Sequence, residues 1–224
     1  MRYLRGWLFA ITIFCFAGAS NAQAQQSVEA SAFDAIRPSL VQIRIDTEGV
    51  SPQVCSAFAV DLAPNVVVSA NCVAEASSRS IALLASGRTV EATYLGLDEQ
   101  TGLVAFRIAE NIAPVRWANA DPQVAEHIVV AGYAYELGPL VSNGIVAGQN
   151  LRINRYPVGV MFLDVPIFSG TAGAPVASTA GEVIGIICGV YGTRTETNRG
   201  YGVAIHAADA RRIVQSILER GGGR

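Results

Sequence analysis

The sequence predicts an all-β protein, either a β-sandwich or a pair of barrels, with one helix near each end. Three observations predict it. Short apolar or alternating runs of strand length recur along the chain; Gly, Pro, Asn and Asp punctuate them; and helical periodicity is confined to the two ends.

The first helix is read at residues 27–36, SVEASAFDAI, where small and apolar residues recur at helical spacing and Pro38 bars continuation. Strand-length runs follow in order: LVQIRI, SAFAVDL, NVVVSA, IALLAS, VEATYLG and LVAFRI, then HIVVAGY, GIVAGQ, GVMFLDV, EVIGIICGV and GYGVAI. Segments of this length and β-branched content, separated by turn residues and with no helix between them, do not build parallel βαβ units. Residues 207–220, AADARRIVQSILER, change period: Ala210, Ile213, Val214, Ile217 and Leu218 form one helical stripe, and Gly221 stops it. This closing helix is expected to pack its stripe on the β body.

Ahead of these elements lies MRYLRGWLFAITIFCFAGASNAQAQQ. Arg2 and Arg5 precede an apolar run to about Ala17, and small residues end in Ala22-Gln23-Ala24. The pattern reads as a secretory signal peptide over residues 1–24, too short in its apolar run for the roughly 18 to 20 residues of a spanning helix. Export without a stable membrane anchor after cleavage, to the periplasm or the medium, is the expectation. Residues 25–224 then form one domain, or two tightly packed halves, with no linker-like segment inside.

Composition narrows the chemistry. The formal net charge is −2, and it becomes two units more negative once Arg2 and Arg5 leave with the leader. No basic cluster supports nucleic-acid binding. All 16 basic residues are arginine, so a Schiff base, a Ser/Lys dyad and a phosphate-binding P-loop lysine are excluded. The two histidines, His127 and His206, and the cysteines lack metal-ligand spacing, and no metal or other cofactor is implied.

Three segments carry a resemblance: NVVVSANCVAEA, GRTVEATYLGLDEQTGLVAFRI and FLDVPIFSGTAGAPVASTAGEVIGI. In order and spacing they resemble the trypsin-like protease domain of the HtrA (Deg) serine proteases. In that family a strand ending T-N-N-H-V carries the catalytic His, a segment T-D-L-A-V the Asp, and a loop G-N-S-G-G-P the Ser. VSNGIVAGQ and GYGVAIHAADARRIV extend the resemblance to about residues 28–219, short of the PDZ domains with which that family usually continues. The resemblance implies a double six-stranded β-barrel with a short N-terminal and a C-terminal helix.

Residue by residue, the resemblance puts Cys72 at the His position, Gly102 at the Asp position and Ala172 at the Ser position, so no member of the triad is intact. Loss of a triad costs on the order of a millionfold in kcat. The resemblance therefore implies an inactive homologue, a pseudoprotease, that keeps a peptide-binding cleft for a peptide or protein partner. The backbone N–H groups of Gly170 and Ala172 would be the remnant of the oxyanion hole, and Asp164, matching the family's acidic residue before the serine loop, would line the substrate pocket. Trypsin-like domains often bridge the strand before the His loop to the residue after the His. By that likeness Cys55 and Cys72 form a disulfide, Cys188 is left as a buried thiol, and residues 193–199, TRTETNR, border the specificity pocket. Two alternatives stay open: an unconventional hydrolase using a free Cys72 thiolate, and a structural or redox role for the cysteine pair.

Overall fold

The computed structural model describes residues 27–74, 78–192 and 200–221; the leader and the 193–199 segment lie outside the described residues. Among the described residues, twelve strands form two closed barrels. The N-terminal barrel contains β1 (Leu40–Asp46), β2 (Gln53–Ala59), β3 (Val66–Ala70), β4 (Arg79–Leu84), β5 (Thr89–Leu97) and β6 (Leu103–Ile108), in the order β1-β2-β3-β6-β5-β4. The C-terminal barrel contains β7 (His127–Gly132), β8 (Leu140–Leu151), β9 (Val160–Asp164), β10 (Pro175–Ser178), β11 (Val183–Tyr191) and β12 (Tyr201–His206), in the order β10-β11-β12-β9-β8-β7. Each pairing within the barrels is antiparallel.

β2, β3 and β11 are apolar on both faces over most of their length because both faces are covered, whereas β5 and β8 turn much of their length to solvent. On β2, Cys55, Ala57 and Ala59 point into the N-terminal barrel, while Phe58 joins a second cluster between the barrels. β3 repeats the division: Val67 lies inside, and Val66, Val68 and Ala70 face the seam. On β11, Ile184 and Ile187 fill the C-terminal barrel, and Val183, Ile186 and Cys188 face the seam. Each such Val or Ile contributes roughly 1.5 to 3 kcal/mol on burial, so the inter-barrel layer is as much core as either barrel interior.

The helices cross over. α1 (Val28–Ile36) precedes the N-terminal barrel yet packs on β7 and β10 of the C-terminal one. Ser27 caps it, its Oγ accepting from the Ala30 N–H at 3.2 Å. α2 (Ala207–Gly221) follows the C-terminal barrel yet lies on β5 and β6, as well as on β11 and β12. Its stripe of Ala210, Ile213, Val214 and Ile217 is buried in the seam cluster. Both helices thus tie together the two ends of the chain and the two barrels. No helix among the described residues is long and apolar enough to cross a membrane.

Candidate functional site at the seam of the barrels

Residues 168–175 form a tight loop between β9 and β10, built by its own backbone. Thr171 Oγ1 donates to Phe168 O and accepts from the Phe168 N–H at 3.2 Å, and Ala174 N–H donates to Thr171 O at 2.9 Å. The loop is pinned to β11 by Gly173 N–H to Ile187 O (2.8 Å) and Ile187 N–H to Ala174 O (2.9 Å). Gly170 and Gly173 have φ of +92° and +84°, which side chains disfavour. Space is also lacking, because a Cβ would overlap Tyr133 O at Gly170 and Ser56 O at Gly173. Ala174, where the resembled loop has glycine, is accommodated: it is fully buried within the C-terminal barrel cluster.

Ser56 of β2 holds this loop against the N-terminal barrel. Its N–H donates to Gly170 O (2.9 Å) and Ala172 O (3.0 Å), and its Oγ donates to Gly170 O (2.7 Å) while accepting from Tyr133 N–H (2.8 Å). Ser69 Oγ donates in turn to Ser56 O at 2.6 Å. The carbonyls of Gly170 and Ala172 are therefore drawn inward. Their N–H groups carry no hydrogen bond to another described residue.

Across the seam, Gly102 is set by a rigid turn. Asp98 Oδ1 accepts from Thr101 N–H (3.0 Å) and Thr101 Oγ1 (2.6 Å), and Gly102 N–H donates to Asp98 O (2.8 Å), with Gly102 at φ +75°. Asn71 N–H donates to Gly102 O at 2.8 Å, and Asn71 itself adopts φ +53°. Its side chain spans the seam. Oδ1 sits where a Cβ on Gly102 would be, and Nδ2 donates to Cys188 O on β11.

Cys72 points elsewhere. It is fully buried in the N-terminal barrel cluster and bonded to Cys55, closing a sequence separation of 17. The thiol of Cys72 is thereby consumed. Ala172 has no heteroatom beyond its backbone, and among the described residues no serine hydroxyl or cysteine thiol is hydrogen-bonded to an imidazole. Asn71 is the residue that the sequence reading missed, and the signal for it was present. A residue that bridges into the barrel core cannot also face the cleft, so its neighbour must.

The remaining candidates separate. Asp164 ends β9 exposed, opposite Ile145, and lines none of the described cavities. His127 starts β7, exposed, opposite Ile145. His206 ends β12, 3% exposed, with Nδ1 3.1 Å from Asp121 Oδ1. Cys188 is buried, its Sγ donating to Val203 O at 3.3 Å, and burial pushes the thiol up to about 11. Tyr156 donates to Cys188 O at 3.2 Å, so that carbonyl accepts from both Tyr156 and Asn71. Burial raises the Tyr156 phenol as well.

Beyond Ile187, β11 pairs with β12 on one side only; no described strand lies along its other side through Gly189–Tyr191. A cavity of about 380 Å³ lies against this stretch of β11, lined by residues 152–156 together with Val190, Tyr191 and, from the paired strand β12, Val203.

Comparisons with known proteins agree with this architecture. The family description "Trypsin-like peptidase domain" matches residues 55–186. A probable periplasmic serine endoprotease, DegP-like, from Buchnera aphidicola subsp. Schizaphis graminum is 27% identical over 160 residues, covering 69% of this chain and 33% of that protein. A probable periplasmic serine protease, do/HhoA-like, from Haemophilus influenzae is 27% identical over 173 residues, covering 74% of this chain and 37% of that protein. The chain thus spans about a third of the length of the curated relatives it matches. Among solved structures, the serine endoprotease from Yersinia pestis superposes with a TM-score of 0.76 at 23% identity, covering 89% of this chain and 69% of that one. The HtrA-type protease AlgW with tripeptide gives a TM-score of 0.76 at 23% identity, covering 87% and 64%. On the match to residues 55–186 and with its two six-stranded barrels, the chain belongs to the trypsin-like peptidase domain family, and it is similar to serine proteases of HtrA/DegP type.

Proposed function

We propose that this chain is an exported, catalytically silent serine protease homologue that binds a polypeptide in the cleft between its barrels. The observation that carries the reading is the Asn71 side chain. It occupies the gap between Gly102 and the Cys188 carbonyl, at the seam where acyl transfer would need an imidazole oriented by a carboxylate and facing a nucleophile. An amide neither takes up a proton near neutral pH nor activates a hydroxyl. The disulfide removes the other candidate nucleophile, Cys72, and Cys188 is a protonated, buried thiol at neutral pH.

Binding is supported by what the seam retains. The Gly170 and Ala172 amides are unengaged by other described residues and sit on a rigid loop, a concave donor pair suited to a peptide carbonyl or a terminal carboxylate. The unpaired side of β11 at Gly189–Tyr191 offers main-chain groups to an extended segment, the geometry of strand addition. Export is proposed from the leader-like sequence at residues 1–24, together with the periplasmic description of the relatives.

The test pairs turnover with capture. Purified chain incubated with casein and with fluorogenic peptides is expected to release no product, whereas the immobilised chain is expected to retain extended peptides that a heat-denatured control does not. Turnover that survives removal of contaminants, checked by mass spectrometry, would refute silence; equal retention by the denatured control would refute binding.

A further inference from the structure

We infer that the cleft reads an acidic side chain on the bound polypeptide, at the cavity walled by Val190 and Tyr191 of β11. This rests on the peptide-binding reading above and specifies its ligand. The cavity rim carries two guanidinium groups, Arg152 and Arg155. Arg152 Nη1 donates to Pro157 O at 3.1 Å, and the Arg155 guanidinium carbon lies 5.7 Å from the centre of the Tyr156 ring. Neither has a carboxylate within ion-pair distance among the described residues, in contrast to Arg44, Arg88 and Arg212, each of which pairs with one at 2.6 to 3.0 Å. Among the described residues no Asp or Glu lines the cavity.

The floor strengthens the attraction. Tyr156 and Val203 are buried beneath the two cations, and an apolar wall lowers the local dielectric and focuses their field toward the opening. A planar guanidinium with free N–H donors and a stacked aromatic face suits a carboxylate. Position fits the same occupant. β11 carries the Gly170 to Ala174 loop at Ile187 and the cavity wall at Val190 and Tyr191, three to four residues further along. At about 3.3 Å per residue, an added strand that seats one residue at the Ala172 amide brings a side chain roughly 10 to 13 Å away over Arg152 and Arg155.

The experiment uses three pools of acetylated, amidated, fluorescein-labelled decapeptides. They are randomised over Ala, Val, Thr and Leu and differ only in carrying Glu, Gln or Lys at one scanned position. Binding to the purified chain is followed by anisotropy at 50 and 300 mM NaCl. The Glu pool is expected to bind about five-fold tighter than the Gln pool at low salt and the Lys pool more weakly still, with the advantage shrinking at high salt. Arg152→Gln/Arg155→Gln, exposed positions whose thermal midpoint should match the parent, is expected to equalise the Glu and Gln pools. Equal affinity of those two pools for the parent, with binding intact, overturns the acidic preference and leaves peptide binding standing. Failure of every pool to bind overturns both. An advantage for Glu that persists in the double Arg variant overturns the assignment to this cavity.

Discussion

The side-chain amide of Asn71 donates to the main-chain carbonyl of Cys188, joining the end of β3 to β11 across the seam of the two barrels. The same side chain holds its Oδ1 against the α-carbon of Gly102. One residue therefore closes the space in which a catalytic base and its orienting carboxylate would have to stand, and it does so while tying the barrels together.

This relationship decides how a protease would be rebuilt. Changing Cys72→His, Gly102→Asp and Ala172→Ser removes the disulfide, directs an imidazole into the N-terminal barrel core, and sets the Asp Cβ against Asn71 Oδ1. That variant is expected to be silent and strongly destabilised. Asn71→His with Gly102→Asp and Ala172→Ser keeps the Cys55–Cys72 bond and is expected to give measurable casein hydrolysis, abolished by returning Ser to Ala. A well-folded Asn71→His set with no turnover would show that the cleft no longer presents a substrate carbonyl to the loop.

The Gly102 position makes a narrower prediction. Gly102→Asp alone meets both a positive φ and the Asn71 oxygen, and is expected to lose about 1 to 3 kcal/mol in urea unfolding. Combined with Asn71→Gly, the loss from Gly102→Asp should shrink, because only the φ strain remains. Additive losses in the double-mutant cycle would exclude the contact as the cause.

Most of the fold was legible from local pattern, because the strands are apolar or alternating runs punctuated by turn residues. β10 was not. Pro175–Ser178 is four residues long, begins with proline and follows two glycines, so it reads as loop; it becomes a strand only by pairing with β7 and β11. At the site, Ala172 and Gly102 could be located by their place in the motifs. Asn71 was legible only indirectly, as the neighbour of a Cys72 committed to the disulfide, and Ser56 was not legible at all, since its role depends on contacts with Gly170 and Tyr133, far away in sequence and brought near only by barrel closure.

The disulfide should matter to stability more than to chemistry. On the chain-entropy account, closing a separation of 17 contributes about 3 kcal/mol. Reduction is therefore expected to shift urea unfolding by that amount while leaving the far-UV spectrum at zero urea unchanged. Iodoacetamide mapping by mass spectrometry should label Cys188 only after unfolding, and Cys55 and Cys72 only after reduction as well. Labelling of Cys72 in the native, unreduced chain would return it to the list of candidate nucleophiles.

Alkaline pH should reveal the buried thiol. Burial raises Cys188 from 9.0 to about 11 and Tyr133, whose hydroxyl has no hydrogen-bond partner among the described residues, from 10.0 to about 12. Both are acids held protonated by the fold, so their stabilisation is whole below the unfolded-state values and is lost as pH climbs toward the folded ones. Stability is expected to hold up to about pH 9, then fall through pH 11. In Cys188→Ser the fall should begin about one unit later, where the tyrosines take over. An onset unchanged by that substitution would exclude the thiol as its source.

Ser56 offers the most direct test of what shapes the loop. It is 1% exposed, and its hydroxyl both donates to Gly170 O and accepts from Tyr133 N–H. Ser56→Ala removes only one oxygen but leaves a buried N–H without its acceptor, a loss of about 1 to 3 kcal/mol. The Gly170 carbonyl keeps its bond to the Ser56 N–H, so the loop should persist in looser form. Peptide affinity is then expected to fall by more than global stability explains, measured by anisotropy at temperatures where parent and variant are equally folded. Affinity unchanged under those conditions would mean that the Gly170 and Ala172 amides do not contact the bound peptide.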